Sequence, residues 1–237
     1  MTVVLLTALG VGSATLIGSI LGFLLGGVAE KYGTQLMAFS SGVMLACSFD
    51  SLIIPALAIG SSPYVICLSV LFGGAVILLF DKAASKIRPT ASLNGRRVLL
   101  FVFAMGLHNL PEGIASGVGF GLSDIGEALS IALSVAVQNI PEGMVIIAPL
   151  LSLGIGRLKT FLIALTTGAV EVVGTLLGYF FISGAPSLIS PLLAMAGGTM
   201  IYVIYDEASG RPCANTGVGS LLFLVGCVGM LAFSALI

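Results

Sequence analysis

The chain has 237 residues, 58% of them hydrophobic and only 8% charged, with a net charge of −1 and a mean hydropathy of +1.19. A soluble domain of this size carries charge on about a quarter of its residues, so these figures exclude one. The absence of a basic patch with interleaved aromatics excludes a nucleic-acid partner.

Apolar stretches long enough to cross a hydrocarbon layer of about 30 Å recur along the chain. Eight spans are predicted, at roughly 3–28, 34–59, 63–80, 98–121, 128–151, 158–183, 187–206 and 217–236. They make one all-α transmembrane helix bundle over residues 1–237, with the lipid bilayer as its surroundings. Span one follows no basic stretch, so it is expected to stay as a span and not to be removed as a leader. Its Gly18, Gly22 and Gly26 recur every fourth residue, spacing that lets helix backbones approach closely. Span two carries Asp50 in its outer half, with Ser48 and Ser51 beside it. A loop over about 81–97 follows span three.

Span four contains His108-Asn109-Leu110-Pro111-Glu112-Gly113 and holds the sole histidine. Span five contains Gln138-Asn139-Ile140-Pro141-Glu142-Gly143, a second copy of the same pattern. Span six places Glu171 near its middle and repeats small spacing at Gly174 and Gly178. Span seven ends on Asp206 and Glu207. The four cysteines show no CxxC spacing and are expected to act as small buried hydrophobes.

Every basic residue falls in an alternate loop: Lys31, then Lys82, Lys86, Arg88, Arg96 and Arg97, then Arg157 and Lys159, then Arg211. The positive-inside rule puts those loops in the cytoplasm and both termini outside, in a multi-pass protein of the cell membrane.

Asp50, His108, Glu112, Glu142 and Glu171 are ionisable groups inside apolar spans. A charge at mid-bilayer costs about 3 kcal/mol on insertion scales, so such groups face a cavity, pair, or hold an ion. On a helix, positions three and four apart share a face. His108, Asn109 and Glu112 therefore converge, and so do Gln138, Asn139 and Glu142. Pro111 and Pro141 free the carbonyls of Leu107 and Val137, and Gly113 and Gly143 are expected to add flexibility. Polar groups and freed carbonyls near the midplane are where transporters bind substrate. One imidazole, three glutamates and several amide oxygens suit Zn²⁺, Fe²⁺, Mn²⁺ or Cd²⁺, and not Cu⁺. Met105, one turn from His108, is read as packing. Three carboxylates at one depth also call for a cation.

The paired motifs followed by Glu171 resemble the ZIP (Zrt/Irt-like) family of divalent-metal transporters over essentially the whole chain. The resemblance implies a binuclear site. His108, Glu112, Gln138 and Glu142 would form one position. Asn109, Glu112, Asn139, Glu142 and Glu171 would form the other, with Glu112 and Glu142 bridging. It further implies a contribution from Ser48, Asp50 or Ser51 near entry and a transient exit site at Asp206 and Glu207. Metal would move into the cytoplasm, commonly in a homodimer, with one helix bundle sliding against another. Two departures stand out. Asn139 replaces an aspartate of some relatives, which weakens the second position, and the loop after span three lacks histidine.

Gly42-Val43-Met44 through Asp50 matches Gly198-Thr199-Met200 through Asp206 in spacing and three identities, which suggests an inverted repeat of spans 1–3 and 6–8. A metal-ion importer without a cofactor, and not an enzyme, is the leading reading. The alternatives are an intramembrane di-metal enzyme, disfavoured because its usual Glu-x-x-His pairs are absent, a helix scaffold joined by polar residues, and a passive channel.

Overall fold

The computed structural model describes residues 1–25, 27–85, 93–122, 124–209 and 217–236, and the side chains of all these except 27–30, 81, 84, 85, 93–104, 107, 148, 149, 152 and 206–209. The described residues are helical, without strands. In chain order the helices are α1 (Thr2–Leu25), α2 (Gly27–Cys47), a π-helical turn (Ser48–Ile53) leading into α3 (Ile54–Ala58), α4 (Pro63–Ser85), α5 (Leu93–Val118), α6 (Ile125–Ser152), α7 (Arg157–Gly184), α8 (Ile189–Ser209) and α9 (Gly217–Ser234). With α2, the π turn and α3 taken as one rod, these match the eight predicted spans in number and order, but α2 begins at Gly27 where 34 was expected, and α4 and α5 run to Ser85 and from Leu93, into the expected loop of 81–97.

Seven of the rods are long and apolar enough to cross a membrane among the described residues. The remaining one, α5, has 26 residues, or about 39 Å at 1.5 Å per residue. The protein is an all-α membrane helix bundle. Apolar side chains such as Leu24, Leu68, Leu71, Leu79, Leu221 and Val228 are more than half exposed, as lipid-facing residues are.

Local chemistry sets the breaks. Gly60 has a φ of 92° and Gly154 a φ of 79°, a backbone region that side chains disfavour. Gly154 ends α6, where the amide of Ile155 donates to the Leu150 carbonyl at 3.1 Å in the manner of a left-handed helix cap. Pro63 opens α4 at a position where a missing N–H costs nothing. Pro111 lies inside an unbroken α5, and Pro141 inside an unbroken α6.

The closest helix pairs are α5 with α7, α1 with α6, α2 with α9, α4 with α8 and α1 with α7. Glycines make these seams. A Cβ on Gly42 would meet the Phe223 carbonyl of α9, and one on Gly226 the Phe39 carbonyl of α2. Gly73 and Gly198 join α4 and α8 in the same manner, against the carbonyls of Met195 and Val70. Gly12 and Gly168 abut each other's carbonyl where α1 meets α7.

The cysteine expectation is corrected in part. Cys47 is buried, Cys227 is half-buried, and Cys67 is exposed. Cys67 lies on α4, an outer helix of which little is covered, so an apolar span does not imply a buried face. Cys213 lies outside the described residues.

Candidate metal site

The two motifs lie on neighbouring helices, and their glycines decide how near those helices come. A Cβ on Gly113 would land on the Glu171 carbonyl of α7. A Cβ on Gly143 would land on the Thr15 carbonyl of α1. These glycines act as points of backbone contact, where flexibility had been expected. They press the helix turns of Glu112 and Glu142 against α7 and α1.

Inside this contact Asn109, Gln138, Asn139 and Glu171 are fully buried, and Glu112 and Glu142 nearly so, at 1% and 5% exposed. His108 is half-buried. Glu171 is the hub. Its Oε1 accepts from Thr15 Oγ1 at 2.6 Å and from Asn109 Nδ2. Its Oε2 accepts from Asn139 Nδ2 at 2.7 Å. The carbonyl of Glu171 in turn accepts from Thr175 Oγ1 at 2.9 Å, and Ser116 Oγ reaches the Glu112 carbonyl at 3.1 Å. Hydroxyls on these helices thus bond back one turn.

The amide oxygens are left over. Asn109 Oδ1, Asn139 Oδ1 and Gln138 Oε1 are buried and lack a hydrogen-bond partner among the described residues. Such an atom costs about 1–3 kcal/mol. Glu142 lies within electrostatic range of Glu171, and Glu112, Glu142 and Asp50 within range of Cys47. Among the described residues, however, no three His, Cys, Asp or Glu side chains stand close enough to hold a metal ion by themselves. Amides supply as much of the centre as acids do.

Sequence reasoning missed Thr15. Its polar signal in α1 is a single hydroxyl, and its partner is 156 residues away.

Ser48, Asp50 and Ser51, expected near entry, occupy the π turn, where Pro55 has no N–H to give to the turn before it and Ile54 instead donates five residues back to Phe49. Asp50 accepts from Ser234 Oγ at the end of α9. Ser51 Oγ donates to Ser134 Oγ of α6 at 3.2 Å. Ser48 spends its hydroxyl on its own helix, donating to the Met44 carbonyl at 2.7 Å. Asp50 and Ser51 line a cleft of about 840 Å³ with Asp124, Glu127, Ser130 and Ser234, and no Lys or Arg is among its lining residues. Asp124 and Glu127 were not singled out from sequence. The cleft's lining stops at Ser130 and Ile131 on α6, while Ser134 and Gln138, one and two turns further along, are fully buried. The side chains of Asp206 and Glu207 lie outside the described residues.

Residues 81–233 match the family model described as ZIP zinc transporter. The chain is 41% identical over 109 residues to the zinc transporter GufA of Myxococcus xanthus, covering 46% of this chain and 43% of that protein. That match therefore spans less than half of the relative's length. It is 31% identical over 221 residues to the zinc transporter ZupT of Chlorobium chlorochromatii, covering 83% of this chain and 82% of that one. It is 30% identical over 211 residues to the zinc transporter ZIPB of Bordetella bronchiseptica, covering 82% and 68%.

Proposed function

The chain belongs to the ZIP zinc transporter family, and from that premise we propose that it carries a divalent metal ion across the cell membrane into the cytoplasm. Zinc is the leading cargo, with iron, manganese and cadmium as alternatives. The observation that carries this is the set of buried amide oxygens on Asn109, Gln138 and Asn139 without hydrogen-bond partners among the described residues, beside the buried carboxylates of Glu112 and Glu142. A cation gives those oxygens a partner and balances those acids.

His108, Glu112, Gln138 and Glu142 form the first metal position in this reading. Asn109, Asn139 and Glu171 stand where a second position, sharing the two glutamates, would lie. The ion enters through the acidic cleft, past Asp50, Asp124 and Glu127, where a single sign of charge raises the local cation concentration. It passes Ser51 and Ser134, binds, and leaves toward Asp206 and Glu207. The cleft opens where α3, α5 and α9 end and α6 and α8 begin, the side opposite the basic loops. That supports an outer mouth with both termini outside. The whole chain serves as one transport domain, and a homodimer is its proposed assembly.

An inverted repeat of α1 to α4 and α7 to α9 is proposed as the frame. The interval of 156 residues between Thr15 and Glu171 also separates Gly12 from Gly168, Gly18 from Gly174, Gly22 from Gly178 and Gly42 from Gly198. In each pair both members touch a backbone on an equivalent helix. Membership of a transporter family favours a cargo site over a resident di-metal centre.

Metal accumulation in cells tests the reading. Glu112→Ala is expected to abolish uptake relative to an empty vector, and His108→Ala to lower affinity or alter metal preference. Unchanged uptake by Glu112→Ala would overturn it.

A further inference from the structure

We infer that this chain loads a single divalent ion at its centre, and that the knot of Thr15, Asn109, Asn139 and Glu171 fills the place of a second. The inference rests on the transport reading and sharpens it.

Three donors from three helices converge on one carboxylate: Thr15 Oγ1 and Asn109 Nδ2 on Oε1, and Asn139 Nδ2 on Oε2. All four residues are buried. A carboxylate offers about four lone-pair sites on two oxygens. Three of them are spent here on donors from fully buried side chains. Stripping them would orphan two amides and a hydroxyl in an apolar interior, and each orphan is costly.

Asn139 is the deciding residue. An aspartate there would set a second carboxylate against Glu171, and two carboxylates in contact need a proton or a cation between them. The amide turns that repulsion into a hydrogen bond and removes the need. Glu171 holds the nitrogen of each Asn, so each carbonyl oxygen stays available. These oxygens lack a partner among the described residues and can serve the one ion. Thr15, contributed by α1, is the positioning residue that fixes Glu171 in this role.

The test is a count of metal by mass spectrometry on full-length protein in detergent, titrated with Zn²⁺ or Cd²⁺, scoring the equivalents that vanish in Glu112→Ala. One such equivalent is expected in the wild type and two in Asn139→Asp. Two in the wild type, or one in Asn139→Asp, would overturn the inference. If Asn139→Asp does not fold, Asn109→Asp takes its place with the same expectation. Thr15→Val is expected to keep one equivalent with a Kd within about threefold of wild type; a larger shift would put Glu171 in the ion's own coordination and also overturn it. No Glu112-dependent equivalent in the wild type would be a different failure, that of the transport reading itself.

Discussion

A methyl group at Gly113 would meet backbone on α7 at the residue that carries the hub carboxylate. Backbone cannot rotate out of the way as a side chain can. Gly113→Ala is therefore expected to destabilise the bundle by about 1–3 kcal/mol and to lower uptake, measured by thermal unfolding in detergent and by metal accumulation. Gly10, which has open space around its missing Cβ, is the control: Gly10→Ala should change neither. At this scale the sequence was legible where chemistry repeats. His108, Glu112, Gln138 and Glu142 stood out because two copies of one motif place polar groups in apolar helices. Thr15 did not, because a lone hydroxyl bonding to its own helix is ordinary in a span, and only tertiary packing turns it toward Glu171.

Among the elements, the π turn at Ser48–Ile53 was the one that hydropathy could not reveal. Helical periodicity reads the same through a one-residue widening of the ladder, although Pro55 marks where the ladder must adapt. Such turns often sit at functional sites; this one carries Asp50 into the acidic cleft and Ser51 onto α6. Asp50→Asn is expected to slow uptake several-fold at low metal and low ionic strength, with a smaller effect at high salt, as steering by charge requires. Radiometric uptake over a salt series checks it, and the Kd of the purified protein should hold. The helix extents themselves were readable, since apolar length and Gly or Pro punctuation coincide in the loops.

On the scale of the whole molecule, the described basic residues Lys31, Lys82, Arg157 and Lys159 and the acidic cleft lie toward opposite ends of the rods; counting Lys and Arg had pointed to one end only. Packing was not readable that way: nothing in the order of the spans says that α1 lies against α6 and α7, or α2 against α9. Cysteines introduced as Ser51→Cys and Ser134→Cys, in a background without the four native ones, would join the π turn and α6 across the floor of the cleft. The parent hydroxyls are 3.2 Å apart, and disulfide geometry can be reached from there with small shifts. Oxidation is expected to stop uptake and reductant to restore it. Uptake that continues with the bond formed would mean that this contact does not open.

The glycine seams also set what can slide. Where carbonyl meets glycine there is no layer of side chains to deform, so α1 with α6, α5 with α7, α2 with α9 and α4 with α8 are geared like meshed teeth. The contacts of α2 with α6 and of α5 with α8 have no such teeth among the described glycines. A slide during the proposed transport stroke is expected along tracks of this smooth kind, with the bound ion as freight fixed to one carriage.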